Sequence, residues 1–113
     1  MKDNTYRTGI WAEYVAAAFL TVNGYRVLKI RYKTKVGEID LIAKRAGVIC
    51  FVEVKFRSNL DDACAAVLPQ SISRIRRAAE HYLLGNNSKS STIRFDVIGL
   101  SPQLRIRHIK NAF

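Results

Sequence analysis

Glu38, Asp40 and Glu53 interrupt the two most hydrophobic β-like runs of this chain, GEIDLIA and ICFVEVKF, and Lys55 follows Glu53 by two places. Moving an ionised carboxylate from water into an apolar layer costs on the order of several kcal/mol unless a cation or hydrogen bonds compensate. A bound metal ion facing a phosphate would supply that compensation.

Strand geometry says whether these charges can meet. Side chains alternate between faces, so Glu38 and Asp40 share one face of their strand and Glu53, Lys55 and Arg57 one face of theirs, roughly 6–7 Å apart for each step of two. Lys44, Arg45, Ala46 and Gly47 join the runs, a connection short enough for an antiparallel hairpin. A two-residue Ala46-Gly47 turn sets Asp40 opposite Glu53 and Glu38 opposite Lys55. A loop of Lys44 to Gly47 makes Asp40 and Glu53 diagonal neighbours, and either register puts the two acids on one face. An odd-length loop would separate them. Two such carboxylates repel unless a cation sits between them, and hard oxygen ligands favour Mg²⁺ or Mn²⁺ over zinc or copper. A protonated Lys55 is no ligand, but it can neutralise charge on a phosphate or orient an attacking water. Spacing alone leaves a second reading open, a solvated hairpin face on which Asp40, Glu53 and Lys55 form ordinary cross-strand ion pairs.

Composition narrows the partner. Nineteen Lys and Arg against nine Asp and Glu leave a formal charge of +10, the electrostatic footprint expected of a nucleic-acid-binding domain. At 113 residues, 49% of them hydrophobic, residues 1–113 make one domain large enough for a real core. Cys50 and Cys64 lie in apolar and alanine-rich stretches, which suits small buried residues of a cytoplasmic protein better than a disulfide or zinc framework. His81 and His108 are too far apart in sequence to complete a zinc site with them. GIWAEYVAAAFLTV superficially resembles a signal peptide, but Glu13 in its middle argues against one. No stretch approaches the roughly 18 uninterrupted apolar residues of a membrane span.

The elements that must position the acids follow from periodicity. Trp11, Val15, Ala18, Phe19 and Val22 recur at helical spacing and predict a helix from about Thr5 to Val22, stopped by Asn23-Gly24. Tyr25 to Tyr32, Val36 to Ala43 and Val48 to Phe56 read as strands. A helical turn or two is expected over Asp61 to Val67. From Pro69 to Leu84 a second helix sets Ile72, Ile75, Ala79, Tyr82 and Leu83 on one side, with Gly85 as its stop. Asn86 to Ser91 reads as a loop, and Thr92 to Gly99 and Gln103 to Ile109 as strands about a Ser101-Pro102 turn. The order αβββαββ predicts an α/β sandwich built on a mixed sheet.

At these residues the sequence resembles the restriction-endonuclease-like, or PD-(D/E)XK, nuclease superfamily. More specifically it is similar to the YraN family of small bacterial proteins, which resembles archaeal Holliday junction resolvases. The likeness runs through GIWAEYVAAAFLTVNGYRVL, GEIDLIA, FVEVKFR, the basic segment SRIRRAAEHYL, RFDVIGL and the closing HIKNAF. It implies a restriction-endonuclease-like fold, Asp40 and Glu53 as metal-binding acids, Lys55 as catalytic lysine and Glu13 as an accessory acid facing the metal. Glu38 would support or orient the site. The implied activity is hydrolysis of phosphodiesters in structured or branched DNA by metal-activated water, with Mg²⁺ or Mn²⁺ as cofactor and a homodimer as the working form.

The pattern also has departures and open readings. Ile39 stands where the superfamily carries a proline, and Ser71 and Ile72 stand where relatives often carry Lys or Gln, so Gln70 is the positional substitute. Arg57 is a candidate phosphate contact or an ion-pair partner for Asp61 or Asp62. Arg74, Arg77 and His81 form a basic stripe that either meets nucleic acid or is simply solvated. Asp96 reads as structural, paired with Arg94 or a basic neighbour. Tyr6, Tyr25 and Tyr32 fit half-buried packing better than base stacking. A non-catalytic nucleic-acid-binding module that keeps the fold is the alternative function.

Overall fold

Small side chains let a helix lie close to a sheet, and the alanine-rich first segment does so. In the computed structural model, which describes residues 2–67, 69–86 and 92–113, helix α1 (Lys2–Val22) leads into strands β1 (Arg26–Lys33), β2 (Glu38–Arg45) and β3 (Val48–Phe56). A short helix α2 (Leu60–Cys64) and a longer α3 (Pro69–Gly85) follow, and the chain closes with β4 (Thr92–Leu100) and β5 (Ile106–Ile109). The side chains of residues 9 onward are described within that set, so Tyr6 lies outside it.

The strands form one sheet in chain order. Neighbours are antiparallel except β3 and β4, which run parallel and therefore need a crossover, supplied by α2 and α3. On one face Ala12, Ala16, Ala17 and Leu20 of α1 pack with Leu41, Ala43, Cys50, Val52, Ile98 and Leu100. On the other, Ile75, Ala78, Ala79 and Tyr82 of α3 pack with Ile39, Ile42, Ile49 and Phe51. The architecture is the expected α/β sandwich on a mixed sheet. No helix of the described residues is long and apolar enough to cross a membrane, and both cysteines are free.

Local chemistry explains where the boundaries moved. Asn59 caps α2 by accepting from the Asp62 N–H at 2.9 Å, so the helical turn begins one residue earlier than expected, and the full order is αβββααββ. Strand β2 runs on to Arg45 because Ala46 and Gly47 both adopt positive φ, 51° and 79°, the requirement of a two-residue hairpin turn. Strand β5 starts at Ile106 rather than Gln103, since the chain first turns through Leu104, whose N–H donates to the Ser101 carbonyl at 3.0 Å. The expected loop over Asn86 to Ser91 falls, after Asn86, outside the described residues.

Asp96 is fully buried and saturated with donors. Arg94 donates Nε and Nη2 to its two oxygens, each at 2.9 Å, His108 Nε2 donates at 2.8 Å and the Asn111 N–H at 3.0 Å. Arg94 Nη2 also donates to the Tyr25 hydroxyl at 2.8 Å, which ties the residue that leads into β1 to β4 and β5. Burial pushes the Asp96 carboxyl up, but His108, Arg94 and the Asn111 N–H outweigh it and bring the pKa from 3.8 down to about 2. A carboxyl with a depressed folded pKa contributes stability above its unfolded value and loses it as pH falls through the folded one. Acid unfolding of the wild type should therefore steepen between about pH 4 and pH 2. Asp96→Asn should lose about 3–5 kcal/mol at neutral pH and should lack that acid step in urea titrations across pH.

Candidate functional site

Register brings the acids together. The β2–β3 ladder runs from Arg45↔Val48 to Leu41↔Val52, which is the register of the two-residue turn, and one further step sets Asp40 opposite Glu53. There the paired ladder ends, and the Val54 N–H donates to Asp40 Oδ2 at 2.8 Å. The carboxylate is thereby fixed at the mouth of the hairpin.

The pleat of β2 is irregular at this point, which corrects the expectation of simple alternation. Ile39 packs in the α3-side core and Leu41 in the α1-side core, although residues two apart on a regular strand share a face. The β1 residue between the partners of Ile39 and Leu41 is Arg31, whose φ is 58°. Asp40 sits where the alternation switches, between the α1 and α3 layers. Glu38 and Asp40 still reach one cleft, together with Glu13 from α1, Glu53, Lys55 and Arg57 from β3 and the segment after it, and Ser71 and Arg74 from α3. The cleft is open, with a volume of about 580 Å³.

Gln70 and Arg77 are not among the residues that line it; both are exposed. Helical spacing gives the reason, since Ser71 falls in line with buried Ile75, Ala78 and Tyr82 while residues 70 and 77 turn away. Ser71, not Gln70, is the α3 residue directed to the cleft. Gly37 lets the start of β2 lie against α3, because a Cβ there would collide with the Arg74 carbonyl. Arg57 Nη1 donates to the Phe56 carbonyl at 2.7 Å. The Asp61 carboxylate pairs instead with Arg107, and Asp62 with Asn59. His81 Nδ1 lies 2.6 Å from the Tyr32 hydroxyl. Arg31, missed in the sequence, places its Nε 3.3 Å from Glu13 Oε1. Nothing in the β1 pattern RVLKIRYK marks one basic residue out from the others; only the need of half-buried Glu13 for a cation could have pointed to it.

The electrostatics are those of unsatisfied acids. Burial, hydrogen bonding to Asp40 and the Asp40 charge push Glu53 up from 4.5 to about 9, with Lys55 opposing. Burial and Asp40 likewise push Glu13 to about 7, with Arg31 opposing. Glu13 Oε1 is buried and has no hydrogen-bond partner. Among the described residues no three acidic, His or Cys side chains form a ready-made cation cluster. The donor set fits a hard divalent cation that Asp40 and Glu53 would hold, with water and substrate supplying the other oxygens, the usual habit of Mg²⁺.

A carboxyl whose folded pKa is raised leaves the fold most stable below its unfolded value and weakens it as pH rises through the folded one. Without cation, wild-type stability should fall as pH climbs from about 4.5 towards 9. Glu53→Gln should flatten that fall and raise the thermal midpoint at neutral pH by about 5–10 °C. Mn²⁺ should raise the wild-type midpoint and leave the variant unmoved in thermal scans. A variant that still responds to Mn²⁺ would remove Glu53 from the cation site.

Comparison with known proteins gives the lineage. A profile described as "Uncharacterised protein family UPF0102" matches residues 12–100, a span that contains Glu13, Glu38, Asp40, Glu53 and Lys55. A UPF0102 protein of Rhodopseudomonas palustris (strain ATCC BAA-98 / CGA009) is 48% identical over 109 residues, covering 96% of this chain and 84% of that protein. A UPF0102 protein of Bradyrhizobium sp. (strain ORS 278) is 46% identical over 109 residues, covering 96% and 77% respectively. The chain belongs to the UPF0102 (YraN) family.

Proposed function

We propose that this protein is a Mg²⁺- or Mn²⁺-dependent endonuclease that hydrolyses phosphodiester bonds in structured or branched DNA. The observation that carries the reading is the convergence of Asp40, Glu53 and Lys55 in one cleft with half-buried Glu13, within a chain of net charge +10. An acid cluster that leaves Glu53 and Glu13 reluctant to ionise serves no packing purpose, and it suits a site completed by a cation. The resemblance to restriction-endonuclease-like enzymes and junction resolvases assigns the same residues to the same roles.

Asp40, pinned by the Val54 N–H, and Glu53 across the hairpin would hold the cation. Once bound, Mg²⁺ or Mn²⁺ supplies Lewis-acid polarisation of the phosphate and activation of water. Lys55, two residues beyond Glu53 and in the same cleft, neutralises charge that develops on the phosphate in the transition state. Glu13 completes the acidic wall from the α1 side, and Arg31 holds it in place. Glu38 lines the same wall and orients it. Arg57 and Arg74, at the cleft rim, bind flanking phosphates. A homodimer belongs to this reading, because a branched junction presents two equivalent strands. The placement of the protein in the cytoplasm is likewise proposed, from its cysteine usage.

The test is incubation of the wild type, Asp40→Asn and Lys55→Ala with labelled four-way, flap, single-stranded and duplex DNA in Mg²⁺, Mn²⁺ or EDTA. Cleavage should require the cation and fall by about 10²-fold or more in both variants. Binding without cleavage on every substrate would replace the enzyme with a non-catalytic nucleic-acid-binding module, an outcome that the plain Ser71 on α3 would help to explain.

A further inference from the structure

A second groove, of about 480 Å³, is lined by Ser58, Asn59, Asp61, Ser101, Arg105 and Arg107. It opens where β3 and β4, paired in parallel up to Phe56↔Leu100, both leave the sheet. Loops that depart from the carboxyl ends of parallel neighbours diverge and create a crevice there. Arg57 lines the acidic cleft and Ser58, the next residue, lines this groove. The Arg57 N–H donates to the Leu100 carbonyl at 3.1 Å, so Arg57 is anchored at the boundary between them.

The chemistry of the groove is that of an anion site. Arg105 forms no ion pair among the described residues. Arg107 Nη1 donates to Asp61 Oδ1 at 2.8 Å, with side chains 46% and 88% exposed. An exposed pair of that kind is weak because water screens it, so Asp61 poises Arg107 without committing it. Ser101 is 1% exposed and its Oγ has no hydrogen-bond partner. Its backbone is engaged, the N–H donating to the Arg105 carbonyl and the carbonyl accepting from Leu104, so the same turn that presents Arg105 leaves one buried hydroxyl unmatched. An orphaned buried hydroxyl is unfavourable because it has lost water and gained no partner, a cost that an acceptor entering the groove would relieve.

We propose that this groove is a backbone-phosphate subsite for the DNA strand that leaves the acidic cleft. Arg105 and Arg107 pair a phosphate and the Ser101 hydroxyl donates to it. The proposal rests on the nuclease reading for the identity of the strand. A nucleic-acid strand carries a phosphate at every nucleotide, so a strand with one phosphate beside Lys55 must lead its neighbours past Arg57 and onward.

The test reads binding alone, in EDTA, so that it stands apart from cleavage. Fluorescent single-stranded and four-way DNA are titrated with wild type, Arg105→Ala, Arg105→Glu and Arg107→Ala over a range of salt. Arg105→Ala should weaken binding on the order of tenfold and lower the log–log salt slope by about 1. Arg105→Glu should weaken it further. Unchanged affinity and slope in both Arg105 variants, folded by circular dichroism, would overturn the subsite even if the wild type cleaves DNA. Absence of cleavage with the salt slopes as expected would overturn the nuclease and keep the subsite. Amide shifts at Ser101 and Arg105 that saturate with inorganic phosphate at the same concentrations as with DNA phosphates would mark a free-anion site and overturn the strand assignment.

Discussion

Two carboxylates held side by side at the open end of one hairpin set the requirement that the surrounding chain meets. Asp40 and Glu53 come opposite each other because the turn between β2 and β3 contains two residues, Ala46 and Gly47. A pleat of period two makes this all or nothing, since a register slip of one residue would turn Glu53 to the other face. Ala46 occupies φ 51°, a conformation that costs an L-residue about 1–2 kcal/mol, and the aligned ladder offsets that cost. The two helix layers then decide what else arrives. Close packing of the α1 alanines brings Glu13 to one side of the hairpin mouth, and the tight approach of Gly37 to α3 brings Ser71 and Arg74 to the other.

Buried Asp96 and the half-buried pair Glu53 and Glu13 behave oppositely. Asp96 accepts four hydrogen bonds and its pKa falls to about 2, whereas Glu53 rises to about 9 and Glu13 to about 7. Burial acts upward on all three, so the difference lies in the partners. Asp96 has a guanidinium, an imidazole and a backbone N–H, all supplied by β4, β5 and the segment after it. Glu53 and Glu13 have mainly each other's neighbour, Asp40, against one Lys or one Arg. A fold able to saturate Asp96 could have saturated these as well. The contrast separates an acid that locks the structure from acids that the fold leaves short of donors.

Much of this was legible in the residues. GEIDLIA and FVEVKFR carry strand periodicity, the Ala46-Gly47 turn was one of the two even registers, and apolar spacing predicted helix α1, although the side it buries is Ala12, Ala16, Ala17 and Leu20 while Trp11 and Val22 are exposed. What escaped depends on backbone states that composition does not encode. The left-handed conformation of Arg31 and the switch of face at Asp40 arise where β1 and β2 negotiate packing on two layers at once, and no pattern of residue types announces them. Gln70 was preferred over Ser71 because a relative's chemistry was sought at that place. The helical period, counted from Ile75, would have selected Ser71 from the same letters.

Strand β3 belongs to both halves of the sheet, and this dual membership organises the proposed chemistry. Through its antiparallel edge with β2 it meets Asp40, so Glu53 must lie where that ladder opens. Through its parallel edge with β4 it runs on to a shared exit, where the following residues enter the crevice lined by Ser101 and Arg105. Glu53, Lys55 and Arg57 therefore succeed one another along a single extended segment, from acid to neutralising amine to guanidinium. The sign of charge reverses over about 13 Å of backbone. A polyanion drawn in by the +10 net charge would be held by the basic end and repelled by the acidic one. A divalent cation at Asp40 and Glu53 would remove that repulsion, so strand binding and cation binding should each favour the other.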